Sequence, residues 1–329
     1  MARVLFIGGT GNISLSCVEQ AVAAGHDVDV FNRGARSVAL PPGVRVVAGD
    51  MRDRSGYRAV ATEKFDVVCQ FIAFTPAHMQ ADIDAFAGNT GQYIFISSAS
   101  VYQKPPLSFV TTERTPAVNP FWDYSQDKIA CEMLLRGARD LPWTIIRPSH
   151  TVRRGLPAVI NEGDLVAWRM LEGKPVFVAG DGNTPWTLTR SQDFAVPFVR
   201  LFGLDAALGE TFTITSDNAY SWDDIYRAIA NGIGVETTLV HVPTDTLIRF
   251  APEWEGPLVG DKSWTALFDN AKIKKIVGEF ACEPDLGRVL AEPIAHFNTA
   301  RAEREPPPDL AEYDRIVDRI VTAQSSLGH

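Results

Sequence analysis

Short runs of β-branched and aromatic residues recur through the first half of the chain at 4–7, 27–31, 44–47, 65–70, 93–97 and 143–146, and segments with helical spacing separate them. This rhythm is the signature of repeated βαβ units, and it predicts an α/β fold: a doubly wound parallel sheet with helices on both faces. After Pro148 the pattern loosens into Gly and Pro punctuation. A helix is expected over 164–171, a strand over 175–179 and a loop through Gly180-Asp181-Gly182. Ser221 reads as the N-cap of a further helix, and Asp269 as the cap of a short one through Ala271, Lys272 and Ile273. Beyond the Pro306-Pro307-Pro308 break, 309–323 reads as one more amphipathic helix. No internal repeat or low-complexity segment is present.

The first run leads into Gly8-Gly9-Thr10-Gly11-Asn12-Ile13-Ser14 and then an apolar helix over 15–24, the strand, glycine turn and helix order that a pyrophosphate needs. Gly8 allows the tight turn, Gly11 lets the backbone approach the phosphates, and Asn12 and Ile13 open the helix whose N-terminus supplies amide hydrogens. Ser14 stands where a third glycine is usual, a small side chain that still permits close packing. The expected fold is therefore Rossmann-type. Residues 1–150 form the dinucleotide-binding domain, with a later return near 180–200, and 151–329 mainly build a smaller C-terminal substrate-binding portion.

The end of the second run, Asn32-Arg33-Gly34-Ala35-Arg36, lacks the acidic residue that holds the ribose hydroxyls of NAD. Arg33 and Arg36 are placed instead to meet a 2′-phosphate, so NADP is favoured and NAD remains possible; the other reading makes both solvated loop residues. Asp50 and Met51 after the third run suit an adenine amino group and ring, or Asp50 caps a helix. Ile72 and Ala73 after the fourth form a small apolar edge against which a cofactor can lie.

The fifth run closes in Ile96-Ser97-Ser98-Ala99-Ser100-Val101-Tyr102, with Ser97 on the cofactor side, and Tyr124-Ser125-Gln126-Asp127-Lys128 follows on a helix. Tyr and Lys four apart share one helical face. The ammonium stabilises the phenolate and lowers the tyrosine pKa toward neutrality, so Tyr124 can exchange a proton with a substrate hydroxyl, while Ser98 holds the same oxygen.

Together these residues resemble the extended short-chain dehydrogenase/reductase family, in its NAD-dependent epimerase/dehydratase branch. The resemblance continues through Ile146-Arg147-Pro148, Gly180-Asp181-Gly182 and Ser191-Gln192-Asp193 to Ser221-Trp222-Asp223, most of the chain. It implies that Pro148 and Ser149 line the nicotinamide pocket and that the Tyr124 helix lies at a homodimer interface. Three departures stand out. Ala99 and Ser100 replace the Asp-Glu pair of the dehydratases, which disfavours dehydration. Trp186 replaces the arginine that commonly binds a sugar nucleotide's diphosphate, so such a substrate is not favoured. The third is the Asn32-Arg33 pair.

On the substrate side, Phe74, Thr75, Tyr102, Phe121, Trp122, His150 and Trp186 are placed for an aromatic-walled pocket suited to a sugar ring or another polyol. His150 reads as a second proton carrier or, more commonly, as a structural histidine.

Composition adds limits. The 329 residues, 46% hydrophobic, can bury a large core, and 31 basic against 40 acidic residues give a formal charge of −9, which repels a phosphate backbone. No basic run offsets it, so nucleic acid is not an expected partner. Cys17, Cys69, Cys131 and Cys282 form no CxxC pair and read as buried thiols, with no metal site expected. The first residues lack the core and cleavage site of a signal peptide, and no apolar run is long enough for a bilayer, so a cytoplasmic location is expected. The expected function is an NAD(P)-dependent oxidoreductase or epimerase of a carbohydrate-like alcohol or ketone; the alternative is a cofactor-binding regulator or RNA-associated protein without turnover.

Overall fold

The structure, a computed structural model, describes residues 1–34, 38–160, 164–303 and 305–326, and everything of Arg54 but its side chain. Seven parallel strands form the central sheet: β1 (Arg3–Ile7), β2 (Asp27–Asn32), β3 (Arg45–Ala48), β4 (Phe65–Gln70), β5 (Thr90–Ile96), β6 (Trp143–Pro148) and β7 (Glu210–Ile214). Their spatial order is β7-β6-β5-β4-β1-β2-β3. The sequence order reverses between β1 and β4, and a crevice for a ligand opens beyond the carboxyl ends of the strands at such a switch.

Side chains alternate between the two faces of the strands, and both faces are covered. Val4, Phe6, Val67, Cys69, Ile94 and Ile96 pack with Cys17 and Val18 of helix α1 (Ser14–Ala23) and with Phe194 and Phe198 of the helix Ser191–Val199. Leu5, Ile7, Val68, Tyr93 and Phe95 pack on the other face with Tyr57 of α2 (Arg54–Val60), Met79 and Phe86 of α3 (Pro76–Phe86), and Cys131 and Leu135 of α4 (Asp123–Gly137). Register brings the strand ends level. Ile7 lies opposite Phe31 and Gln70, Gln70 opposite Phe95, and Phe95 opposite Ile145. Gly8, Asn32, Phe71 and the Ser97-Ser98 segment therefore emerge side by side on one edge.

The C-terminal portion has its own core, in which Trp222, Tyr226, Trp254 and Tyr313 pack with Phe177 and Trp186. Ser221 does cap its helix, accepting from the Asp224 amide. The elements expected over 164–171, 175–179 and 309–323 appear as Leu165–Leu171, Val176–Ala179 and Leu310–Ser326. Asp269 accepts from the Ala271 amide at the start of Ala271–Val277, although Asn270 is the N-cap residue. The helix Leu286–Glu303 and the strand β7 were not expected. Cys17, Cys69 and Cys131 are buried and Cys282 is half-buried, all as free thiols. Among the described residues, no helix is long and apolar enough to cross a membrane, and no cluster of His, Cys, Asp and Glu could hold a metal ion.

Candidate active site

One cavity of about 1030 Å³ runs along the carboxyl edge of the sheet. Most of the residues singled out from sequence meet on its wall: Gly8, Gly11, Asn12, Ile13, Asn32, Arg33, Asp50, Met51, Ile72, Ser97, Ser98, Tyr124, Lys128, Pro148 and Ser149, with Phe74, Trp122, His150 and Trp186 toward the other end. Arg36 lies outside the described residues.

The glycine turn is held by its own chemistry. Gly8 has φ +87°, and a Cβ there would come within 2.5 Å of Ile72 Cγ2, so both conformation and space require glycine. The Ser14 hydroxyl donates to Gly8 O at 2.6 Å and accepts from the Gly11 amide at 2.8 Å. Ser14 is thus a staple across the turn rather than a tolerated small residue. The Leu15 amide donates back to Gly11 O at 3.2 Å, and Ile13, at the N-cap position of α1, adds no side-chain acceptor at the helix start, where an anion is favoured. Asn12 ties the turn to the opposite wall, donating through Nδ2 to Thr151 O at 2.8 Å and accepting through Oδ1 from the Arg154 amide at 3.0 Å.

At the β2 end, Asn32 Oδ1 accepts from the Gly34 amide at 2.8 Å and shapes the turn that carries Arg33. Asp50 does not cap α2; Asp53 does, by accepting from the Ser55 and Gly56 amides. Asp50 pairs instead with Arg52 at 2.6 Å, and hydrogen bonds from Arg52 hold its carboxyl down at about 2. Arg52 also lines the cavity, a second cation at this end that the sequence reading passed over.

Lys128 is 1% exposed and donates to Ala73 O and Ile96 O, each at 2.9 Å. Burial lowers its ammonium to about 8. The nitrogen lies 4.8 Å from the ring centroids of Phe74 and Phe95 and 5.8 Å from that of Tyr124. Ser98 N-caps a short 3-10 turn at Ala99–Val101, and its hydroxyl lies 2.9 Å from Ser100 Oγ, which in turn accepts from Ser125 on α4 at 2.8 Å. Behind the set, Glu132 accepts from Ser97 at 2.7 Å and from Arg147 Nε at 2.9 Å, a buried pair that locks α4 to β5 and β6.

Four expected wall residues sit elsewhere. Ala73 is fully buried and contributes only its carbonyl, to Lys128. Thr75 caps α3, accepting from the His78 amide, and the Thr-Pro pair at the helix start is the sequence signal for that role. Tyr102 is 1% exposed, with its hydroxyl 2.6 Å from Thr213 Oγ1 and Arg147 over its ring, so it belongs to the core under β7. Phe121 is absent from the cavity wall. Conversely, Asp261, Lys262 and Phe268 line the cavity with no local motif to announce them. Trp186 is almost buried, donates to His150 Nδ1 at 3.0 Å, and carries the Lys262 ammonium 4.8 Å over its ring.

A nicotinamide dinucleotide suits these residues. The turn offers amides to a pyrophosphate, and Ser149 Oγ, on the wall just past β6, is a buried hydroxyl that no protein atom engages.

Comparison with known proteins agrees. Residues 8–159 match the NAD(P)H-binding family model. The chain is 27% identical over 288 residues to 2'-dehydrokanamycin reductase of Streptomyces kanamyceticus, spanning 84% of this chain and 80% of that protein. It is also 27% identical over 257 residues to the chloroplast stem-loop binding protein of 41 kDa b of Arabidopsis thaliana, spanning 73% of this chain and 65% of that protein. The solved UDP-glucose 4-epimerase of Bifidobacterium longum, in complex with NAD+ and UDP, superimposes with a TM-score of 0.70 at 21% identity, over 90% of this chain and 98% of that one, a likeness of fold. The chain thus carries an NAD(P)H-binding domain over residues 8–159 and shares the Rossmann fold of that solved structure.

Proposed function

We propose that the protein is an NAD(P)-dependent oxidoreductase or epimerase acting on a hydroxyl or carbonyl of a sugar-like substrate, with Tyr124 as acid and base and NADP favoured over NAD. The observation that carries this reading is the meeting of the glycine turn with Ser98, Tyr124 and Lys128 on one cavity wall. A bound nicotinamide supplies or takes up the hydride. The chain's own residues handle the proton. Lys128, one helical turn from Tyr124 and fixed by two carbonyls, presents a positive charge that favours the phenolate. Ser98 offers a hydroxyl to the same substrate oxygen, and Tyr124 passes its proton there or receives it. Ala99 and Ser100 supply no second acid-base pair, which supports oxidation, reduction or epimerisation over elimination.

Arg33 on the wall, with Arg52 close by, supports the NADP preference through contact with a 2′-phosphate. Residues 1–150 with a later return near 180–200 serve the cofactor in this reading, and most of 151–329 serves the substrate. Met133, 68% exposed on α4, suits the packing of a second copy there, as in a homodimer.

The test is to denature the purified protein and identify any nicotinamide nucleotide released, with its redox state, by mass spectrometry. Stoichiometric NAD(H) supports an epimerase that recycles its cofactor and sinks the Arg33 argument, whereas weak retention with stabilisation by NADPH supports a net reductase. Tyr124→Phe is expected to lower turnover about 100-fold or more while nucleotide binding persists. Unchanged turnover refutes the role of Tyr124.

The likeness to the stem-loop binding protein favours a second reading, an RNA-associated protein without turnover. The charge of −9 opposes it. Tight, salt-sensitive RNA retention in a filter-binding assay would reverse that judgement.

A further inference from the structure

The end of the cavity remote from Arg33 is built by a segment far from the catalytic set in sequence. Gly256 and Gly260 lie against Trp122, where an added Cβ at either would come within 2.6 Å of the tryptophan side chain. Asn119 Nδ2 donates to Gly260 O and to Ser100 O, each at 2.7 Å. The π-helical turn Leu258–Lys262 is thereby clamped to the segment that carries Ser98. π-Helical turns are rare and concentrate at functional sites.

This turn sets two opposite charges side by side on the wall. Asp261 Oδ2 lies 3.1 Å from Lys262 Nζ, and Lys262 is only 7% exposed. Trp186 fixes the ammonium from one side, and His150, bonded to Trp186, is its neighbour on the wall. Lys104 stands near the pair but off the cavity wall, where burial holds its ammonium below the ordinary value.

We propose that the Asp261–Lys262 pair is a specificity site for an uncharged, unphosphorylated polyol, with Asp261 accepting from and Lys262 donating to two neighbouring hydroxyls while the Trp122 ring backs the carbon skeleton. This rests on the sugar-like reading above and narrows it. A carboxylate next to an ammonium largely cancels its pull on an anion, yet a vicinal diol satisfies acceptor and donor together. A diphosphate would bring its charges beside Asp261, with no arginine in the place that Trp186 occupies. Sites built to hydrogen-bond a hydroxyl reject analogues that lack it far more strongly than apolar pockets reject a misfit.

The experiment is calorimetric and saturation-transfer NMR binding to the full chain, with and without NADPH, of methyl glucoside, myo-inositol, monodeoxy analogues of each, glucuronate and UDP-glucose. At least one neutral polyol is expected to bind, with a deoxy analogue weaker by tenfold or more. Asp261→Asn and Lys262→Gln are each expected to weaken that polyol at least tenfold and to leave the NADPH Kd unchanged, which also reports an intact fold. Tenfold tighter binding of UDP-glucose or glucuronate overturns the proposal, as does binding by no neutral polyol or an Asp261→Asn variant with wild-type polyol affinity. Tyr124→Phe keeps polyol binding whether or not Tyr124 moves the proton, so failure of this site and failure of the catalytic reading are told apart.

Discussion

Replacing Ser14 by glycine would install the usual third glycine of a dinucleotide turn, and it is expected to weaken cofactor binding. The Ser14 hydroxyl, buried with its residue 1% exposed, makes two hydrogen bonds that span the turn, to Gly8 O at 2.6 Å and from Gly11 N at 2.8 Å. At about 1 kcal/mol net for each bond, their loss costs about 2 kcal/mol. Glycine at the start of α1 adds up to about 1 kcal/mol of backbone entropy, so the turn is destabilised by about 2–3 kcal/mol. If half of that reappears as ordering cost when the nucleotide binds, Kd rises about tenfold. Ser14→Ala loses the bonds without the entropy and falls between wild type and Ser14→Gly. The assay is fluorescence titration of NADPH and NADH against all three proteins, with thermal unfolding in parallel. Nucleotide affinity for Ser14→Gly equal to or above that of wild type would refute the staple.

Lys128, held by burial at about 8, loses its proton as pH rises through that value, and with it the charge that favours the phenolate. The kcat/KM profile is therefore expected to fall above about pH 8, a limb that Lys128→Met abolishes along with most of the activity. Glu132→Gln leaves Arg147 buried without its carboxylate and should cost about 3–5 kcal/mol in urea unfolding, whereas the double variant Glu132→Leu, Arg147→Met should recover part of that loss. Burial raises Asp82 to about 6 from an ordinary 3.8, although Tyr57, Tyr93 and Gln70 all donate to it. The folded protein thus keeps a proton that the unfolded chain releases between those values. The associated stability is full below pH 3.8 and lost as pH rises through 6, about 3 kcal/mol in all. The difference in unfolding free energy between wild type and Asp82→Asn, followed from pH 4 to 7, should show that slope.

Five of the six strands of the first half were legible because each is a local, largely apolar run packed on both faces, whereas β3, mostly exposed at the sheet edge, was legible from its β-branched Val46-Val47 pair. β7 was not, because Glu210–Ile214 alternates Thr with Phe and Ile at an edge where Thr213 bonds Tyr102 and Glu113. The glycine turn and the Tyr124, Lys128 pair were legible for the same local reason: short fixed spacings encode them. Spacing carries nothing about Asp261 and Lys262, which reach the wall only through Asn119 and the clamp on Trp122. Tyr102 misled because it follows the Ser98 segment directly, but the 3-10 turn at Ala99–Val101 swings it into the core. Thr75 misled although its following proline marks a helix start. Ser14 was judged by its size, and its hydroxyl decides the matter.

Asn12 joins the nucleotide turn to residues 139 and 142 positions later in the chain. Closing so long a loop costs chain entropy that the helix α1 and its strand do not recover by themselves. In refolding, the turn can form early with β1 and β2, but it is braced only after β6 has joined the sheet and the chain has come back across it. Recovery of nucleotide fluorescence is thus a clock for the late, long-range stage of folding rather than for the first collapse. A chain interrupted before residue 151 would keep every glycine of the turn and lose the brace that holds it open.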